Sequence, residues 1–305
     1  MGVHKFAERW RDAVRHSVRL RRTPFHLAVL AALASPSMAT LAQDAIWNGG
    51  TGNWNDSTQW DIGTVPDAGT DVRVDGGKTG TASLVNVNVT SDARNLTIDA
   101  GDRVNINNSR QLTIHGASLL NNGTLSLSST GTATTLRVGD TTFSGTGVVS
   151  LGNSTSNRII GIEATNVLTN AAGHTIRGSG QLGNNFMGLN NQGLIDANQS
   201  VALTIDLSDA EGVTRANSGT IQASGSGNLR VIGTALDNSG GTLQALDNAT
   251  VTVTSGSRIT GGTLATADNG VVLLGGNATL DTLTNLGEVR INQGNTGRIA
   301  GTVTN

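Results

Sequence analysis

The chain has 305 residues, 41 of them glycine, with three prolines, no cysteine, no tyrosine and a formal net charge of −2. Collagen needs a strict three-residue glycine period and much more proline, and a disordered chain is usually richer in charge than the 14% found here and poorer in β-branched residues. No disulfide can form, so stability must come from extended packing and backbone hydrogen bonds, in a structure of many short strands and tight turns.

Residues 1–42 read as an export signal. Lys5, Arg9, Arg11, Arg15, Arg19, Arg21 and Arg22 outnumber Glu8 and Asp12, and the apolar run "FHLAVLAALA" (25–34) comes next. Ten apolar residues fall short of the roughly 20 that span a bilayer. Small residues then offer cleavage after Ala39 or Ala42. The remainder keeps 13 Lys and Arg against 20 Asp and Glu, a net of −7. That balance argues against nucleic acid and anionic lipid as partners.

The segment "WNGGTGNWNDSTQW" (47–60) holds Trp47, Trp54 and Trp60, three of the four tryptophans. Aromatic rings stack on sugars, so a glycan contact is one reading. The other is a cap, because a repeat protein must cover its terminal apolar end and strand edges. The position of the cluster, ahead of the repeats and nowhere within them, favours the cap, assigned to residues 43–83.

Repeats are expected from residue 84 to 305. Runs such as "LVNVNV" (84–89), "LRV" (136–138), "ALTIDL" (202–207) and "VTV" (251–253) alternate with a period of two, the mark of strands with one buried face. Between them recurs Asn-x-Gly-x-(Leu/Ile/Val): "NNGTL" (121–125), "NQGLI" (191–195), "NSGTI" (217–221), "NSGGTL" (238–243) and "NLGEV" (285–289). Looser forms are "GTGVV" (145–149), "NAAGHTI" (170–176) and "GGTL" (261–264), and Asn305 stands where a further unit would begin. The mean spacing of these starts is 23 residues. Three short strands and three turns consume about that length, which predicts an all-β, right-handed parallel β-helix. A β-sandwich array would repeat near 100 residues, and leucine-rich repeats need a leucine-rich consensus. Asn and Gly at one corner suggest left-handed turns and asparagines stacked along the axis.

The Trp-rich opening followed by N-x-G-T-(I/L) and GGTL repeats resembles the passenger regions of Gram-negative autotransporters and related adhesin-like surface proteins. The resemblance covers nearly all of residues 45–305. It implies an exported protein at the cell surface, outer membrane or outside the cell, acting as an adhesin or stalk, with host surface, matrix or glycan as partner, or self-association. An autotransporter ends in a membrane barrel of alternating strands with aromatic girdles. This chain ends "GRIAGTVTN", so membrane attachment would need a barrel or partner that it does not contain.

Enzyme signals are weak. "GSGQLG" (178–183) matches a nucleotide-loop pattern but lies between strand-like runs, with no helix to meet a phosphate. Asp206, Asp209 and Glu211 in "TIDLSDAEG" are the best candidates for a polysaccharide hydrolase or lyase, because acid/base hydrolysis needs two facing carboxylates. A solvated loop is the simpler account of all three. His115 and His174 lack an acidic or serine partner at a recognisable spacing and read as surface or turn residues. The sequence therefore predicts no enzyme, no cofactor and no metal.

Overall fold

The computed structural model describes residues 43–78 and 80–305. The expected export segment lies outside the described residues. From Gln43 onward the chain forms a parallel β-solenoid of about eleven turns with three strand-bearing sides and almost no helix. Every pairing between named strands is parallel and joins one coil to the next.

The first side runs from Gln43–Ile46 through Thr70–Val74, Asn95–Ile98 and Ser118–Asn121 to Arg258–Thr260. The second runs from Thr51–Asn53 through Leu84–Val87, Arg103–Asn107 and Thr124–Ser128 to Thr263–Thr266. These two sides are continuous at the far end, where Ala278–Leu286 and Gly297–Thr304 each cover both. The third side is a separate sheet of ten strands, from Ser91–Ala93 to Val289–Ile291.

Side-chain alternation explains the core. On the second side Val104, Leu125, Val149, Ile176, Ile195 and Ile221 pair coil over coil and are fully buried. Leu112, Leu136, Ile159, Leu182, Ile205 and Val231 do the same on the third side. Each position is thus a column at the inter-strand spacing of about 4.8 Å, and each column excludes water along the whole axis.

The Asn-x-Gly motif is the corner between the first and second sides. Asparagine ends a first-side strand and the residue after glycine starts a second-side strand, as in Ser118–Asn121 followed by Thr124–Ser128. The left-handed turn expected of this motif is absent at Gly123, Gly193 and Gly219, none of which has positive φ. Glycine is needed there for room. A Cβ on Gly123 would lie 2.3 Å from the carbonyl oxygen of Asp102, and one on Gly219 would lie 2.3 Å from that of Gly193.

Two sequence boundaries shift. "NLGEV" (285–289) is not the same corner: it leads into Val289–Ile291 on the third side. Its asparagine imitates the motif locally, donating from Nδ2 to Gly287 O at 3.1 Å. The 43–83 segment is also no separate unit, because Gln43–Ile46 and Thr51–Asn53 already pair into the first two sides. Residues 43–69 make the first coil, and Thr70–Val74 opens the second on the first side.

Candidate functional site

That first coil has no strand on the third side. After Asn53 the chain enters a short 3-10 turn, Ser57–Gln59, and the three tryptophans fill the space. All three are buried, Trp60 at 2% exposure and the others at 0%. Trp47 and Trp54 each meet Trp60 edge-on, at centroid separations of 5.0 and 5.1 Å. Trp60 Nε1 donates to Trp54 O at 2.8 Å and Trp47 Nε1 to Gly50 O at 3.1 Å, while Trp54 Nε1 has no partner. A Cβ on Gly52 would come within 2.9 Å of the Trp47 ring, so glycine there admits the indole. With no ring face open to solvent, the cluster fits an N-terminal cap.

The suggested enzyme residues lie on the corner between the third and first sides, after the strand Leu203–Ile205. The loop does not project freely. Leu207 N donates to Thr234 Oγ1 at 3.0 Å, Ser208 N to Met187 O at 2.9 Å and Asp209 N to Asn185 Oδ1 at 2.9 Å. Arg215 closes it from inside, Nε donating to Ser208 O and Nη2 to Ala210 O at 3.0 Å. The carboxylates of Asp206, Asp209 and Glu211 hold no arginine and accept no hydrogen bond among the described residues. Burial, and then Asp209, raises the Asp206 carboxyl above its ordinary value.

Carboxylates and an arginine from adjacent coils do converge elsewhere, in a groove of about 650 Å³ beside the long 75–83 corner loop. Asp75 and Asp102 are buried there and share Ser83, which donates from Oγ to Asp75 Oδ2 at 3.2 Å and from its backbone N to Asp102 Oδ1 at 2.8 Å. Burial raises the Asp102 carboxyl, with Asp75 and Asp99 adding repulsion. Arg73 pairs with Asp99 at 3.0 Å through Nε. The groove's charged groups are therefore engaged with one another or with the loop. No local motif in the sequence marks it, because Arg73, Asp75, Asp99 and Asp102 come together only through the coil period.

The histidines correct the sequence reading twice. His115 does have an acidic partner: its Nε2 lies 2.7 Å from Asp92 Oδ1, one coil below and 23 residues away in sequence. That separation is the repeat length itself. His174 is fully buried. Its Nδ1 lies 2.7 Å from Asn170 Oδ1 and its Nε2 3.3 Å from Asn121 Nδ2. Burial pushes its pKa down to about 4, so it is neutral at pH 7.

"GSGQLG" is a corner between the second and third sides, where a Cβ on Gly178 would lie 1.9 Å from Leu151 O. Among the described residues no group of three or more His, Asp or Glu side chains is placed to hold a metal ion. Comparison with protein-family models, with curated proteins and with solved structures returns no match for this chain.

Proposed function

We propose that the chain is an exported surface solenoid of the autotransporter-passenger type, serving as a stalk or adhesin. The observation that carries this reading is the internal engagement of its polar groups. Arg215 binds loop carbonyls, Arg73 binds Asp99, and the buried asparagines bind each other, so no described groove presents a free arginine opposite the suggested carboxylates. A hydrolase or lyase needs an acid/base pair aimed at substrate, whereas a stalk needs only uniform stacked coils. The basic segment and apolar run at residues 1–34 support export.

Expression of the whole chain in a Gram-negative host, with fractionation and N-terminal sequencing, tests this. Export with cleavage after Ala39 or Ala42, together with binding to host matrix, glycan or a second copy, is the expected result. Retention in the cytoplasm of an uncleaved chain, or turnover of polysaccharide that is lost in Asp206→Asn, would reject it.

A further inference from the structure

Four asparagines form a ladder inside the first corner. Asn170 Nδ2 donates to Asn191 Oδ1 at 2.7 Å, Asn191 to Asn217 at 2.7 Å and Asn217 to Asn238 at 2.6 Å. Every rung donates toward the C-terminal end. The ladder ends where Gly261 replaces asparagine, and there the Asn238 amide donates instead to Gly261 O and Thr263 O.

Below Asn170 the ladder should pass through coil 141–151, but that coil carries Phe143 in register with Asn170, and Gly145 where Asn121 would stack. The corner after Asn170 has two residues more than that after Asn121 or Asn191, and His174 comes to occupy the column of corner glycines. The backbone shows this: Thr124, Val148, Thr175, Leu194 and Thr220 each take up the strand in sequence, with Thr175 N bonded to Gly147 O and Leu194 N to His174 O. From that position the imidazole turns inward, packs edge-on to Phe143 at 5.7 Å and reaches Asn121, two coils below.

The bonding leaves one arrangement. Asn170 Nδ2 is committed to Asn191, so its Oδ1 must accept from His174 Nδ1–H. Asn121 Oδ1 accepts from Gly123 N at 3.1 Å, so its Nδ2 must donate to His174 Nε2. The imidazole is thus the neutral Nδ1–H tautomer, a donor to one side and an acceptor to the other. A second proton on Nε2 would face the Asn121 amide hydrogens. Rotating that amide would set its hydrogens against Gly123 N–H instead.

Among the described residues no counter-ion stands on the strands that flank the imidazole. Strands Ser118–Asn121, Thr141–Ser144, Val167–Asn170 and Gly188–Asn191 carry no ionisable residue. On the second side Thr124–Ser128 and Val148–Leu151 carry none either. Thr175–Gly178 carries Arg177, which is exposed, and Leu194–Ala197 carries Asp196, paired in register with Arg177 and bonded through Oδ2 to Ser224.

We propose that His174 is an acid-operated latch in the solenoid core: neutral, it replaces a missing asparagine and joins Asn121 to Asn170, and proton uptake at Nε2 breaks the join and opens the solenoid there. The unfolded imidazole titrates at 6.5 and the folded one near 4. A depressed folded value means that stability is intact above 6.5 and is lost as pH falls toward 4.

The test compares the full chain with His174→Gln, whose amide can donate and accept without titrating. Between pH 7 and pH 4 the unfolding equilibrium constant of the native chain should rise roughly 100-fold more than that of the variant. Parallel pH profiles would overturn the proposal. If the variant does not fold, nitrogen NMR of the native imidazole decides: an Nδ1–H tautomer persisting to below pH 5, with amide exchange at residues 143–148 accelerating first on acidification, supports the latch. Titration near 6.5, or an Nε2–H tautomer, refutes it.

Discussion

Asn191 donates its side-chain amide to Asn217 across one coil at 2.7 Å while also donating to Thr220 O at 3.2 Å. Both asparagines are buried. A polar column inside an apolar core is tolerable only because each amide is satisfied from its own coil and from the next. Asn191→Ala leaves the amide of Asn170 and the Oδ1 of Asn217 each without its partner. The expected loss of stability is about 2 kcal/mol, within the usual range for orphaned buried groups. Denaturant titration checks it, and a loss under about 0.5 kcal/mol would show that the ladder contributes little.

The corner glycines should be sensitive for a steric reason. Gly219→Ala forces a methyl against Gly193 O, and overpacking of that kind costs about 1–3 kcal/mol. Gly225→Ala meets open space and is penalised only for its left-handed backbone at φ 54°, by about 1 kcal/mol. A thermal melt of the two variants should rank Gly219→Ala as the less stable.

Trp60 touches both other indoles and is bonded through Nε1 to Trp54 O. Trp60→Ala should cost about 3–5 kcal/mol, as for other buried aromatics. The cap reading requires this loss to exceed any change in glycan affinity. A variant that melts normally but no longer binds a glycan would restore the contact reading of Trp47, Trp54 and Trp60.

The raised carboxyl of Asp206 gives a signed prediction for pH. A folded value above the unfolded 3.8 means that its charged form weakens the fold at neutral pH and that acid relieves the penalty. Asp206→Asn should therefore be neutral or slightly stabilising at pH 7, with the difference from the native chain vanishing below pH 3.8. Urea titrations at the two pH values measure it. Destabilisation at pH 7 would mean that the carboxylate has a partner in solution.

Much of this architecture is readable in the sequence, because columns of identical environment repeat the same residues every coil. Leu125, Ile176, Ile195 and Ile221 mark one side of the solenoid through alternation and spacing alone. Residues that meet across coils are harder to see. Asp92 with His115 and Arg73 with Asp99 are 23 and 26 residues apart, separations that carry meaning only after the coil length is known. His174 is the least legible, since it sits in a glycine column and its partner Asn121 lies 53 residues away. "NLGEV" shows the converse error, a motif whose local hydrogen bond recurs at a different corner.

The continuous asparagine ladder is tested most directly by hydrogen exchange of the side-chain amides of Asn170, Asn191 and Asn217 in the folded chain. Buried and doubly bonded amides should exchange at least about a thousandfold more slowly than free asparagine and should lose protection together on unfolding. Exchange at the free rate while the backbone amides of Thr220 and Leu194 stay protected would contradict a continuous ladder through the core.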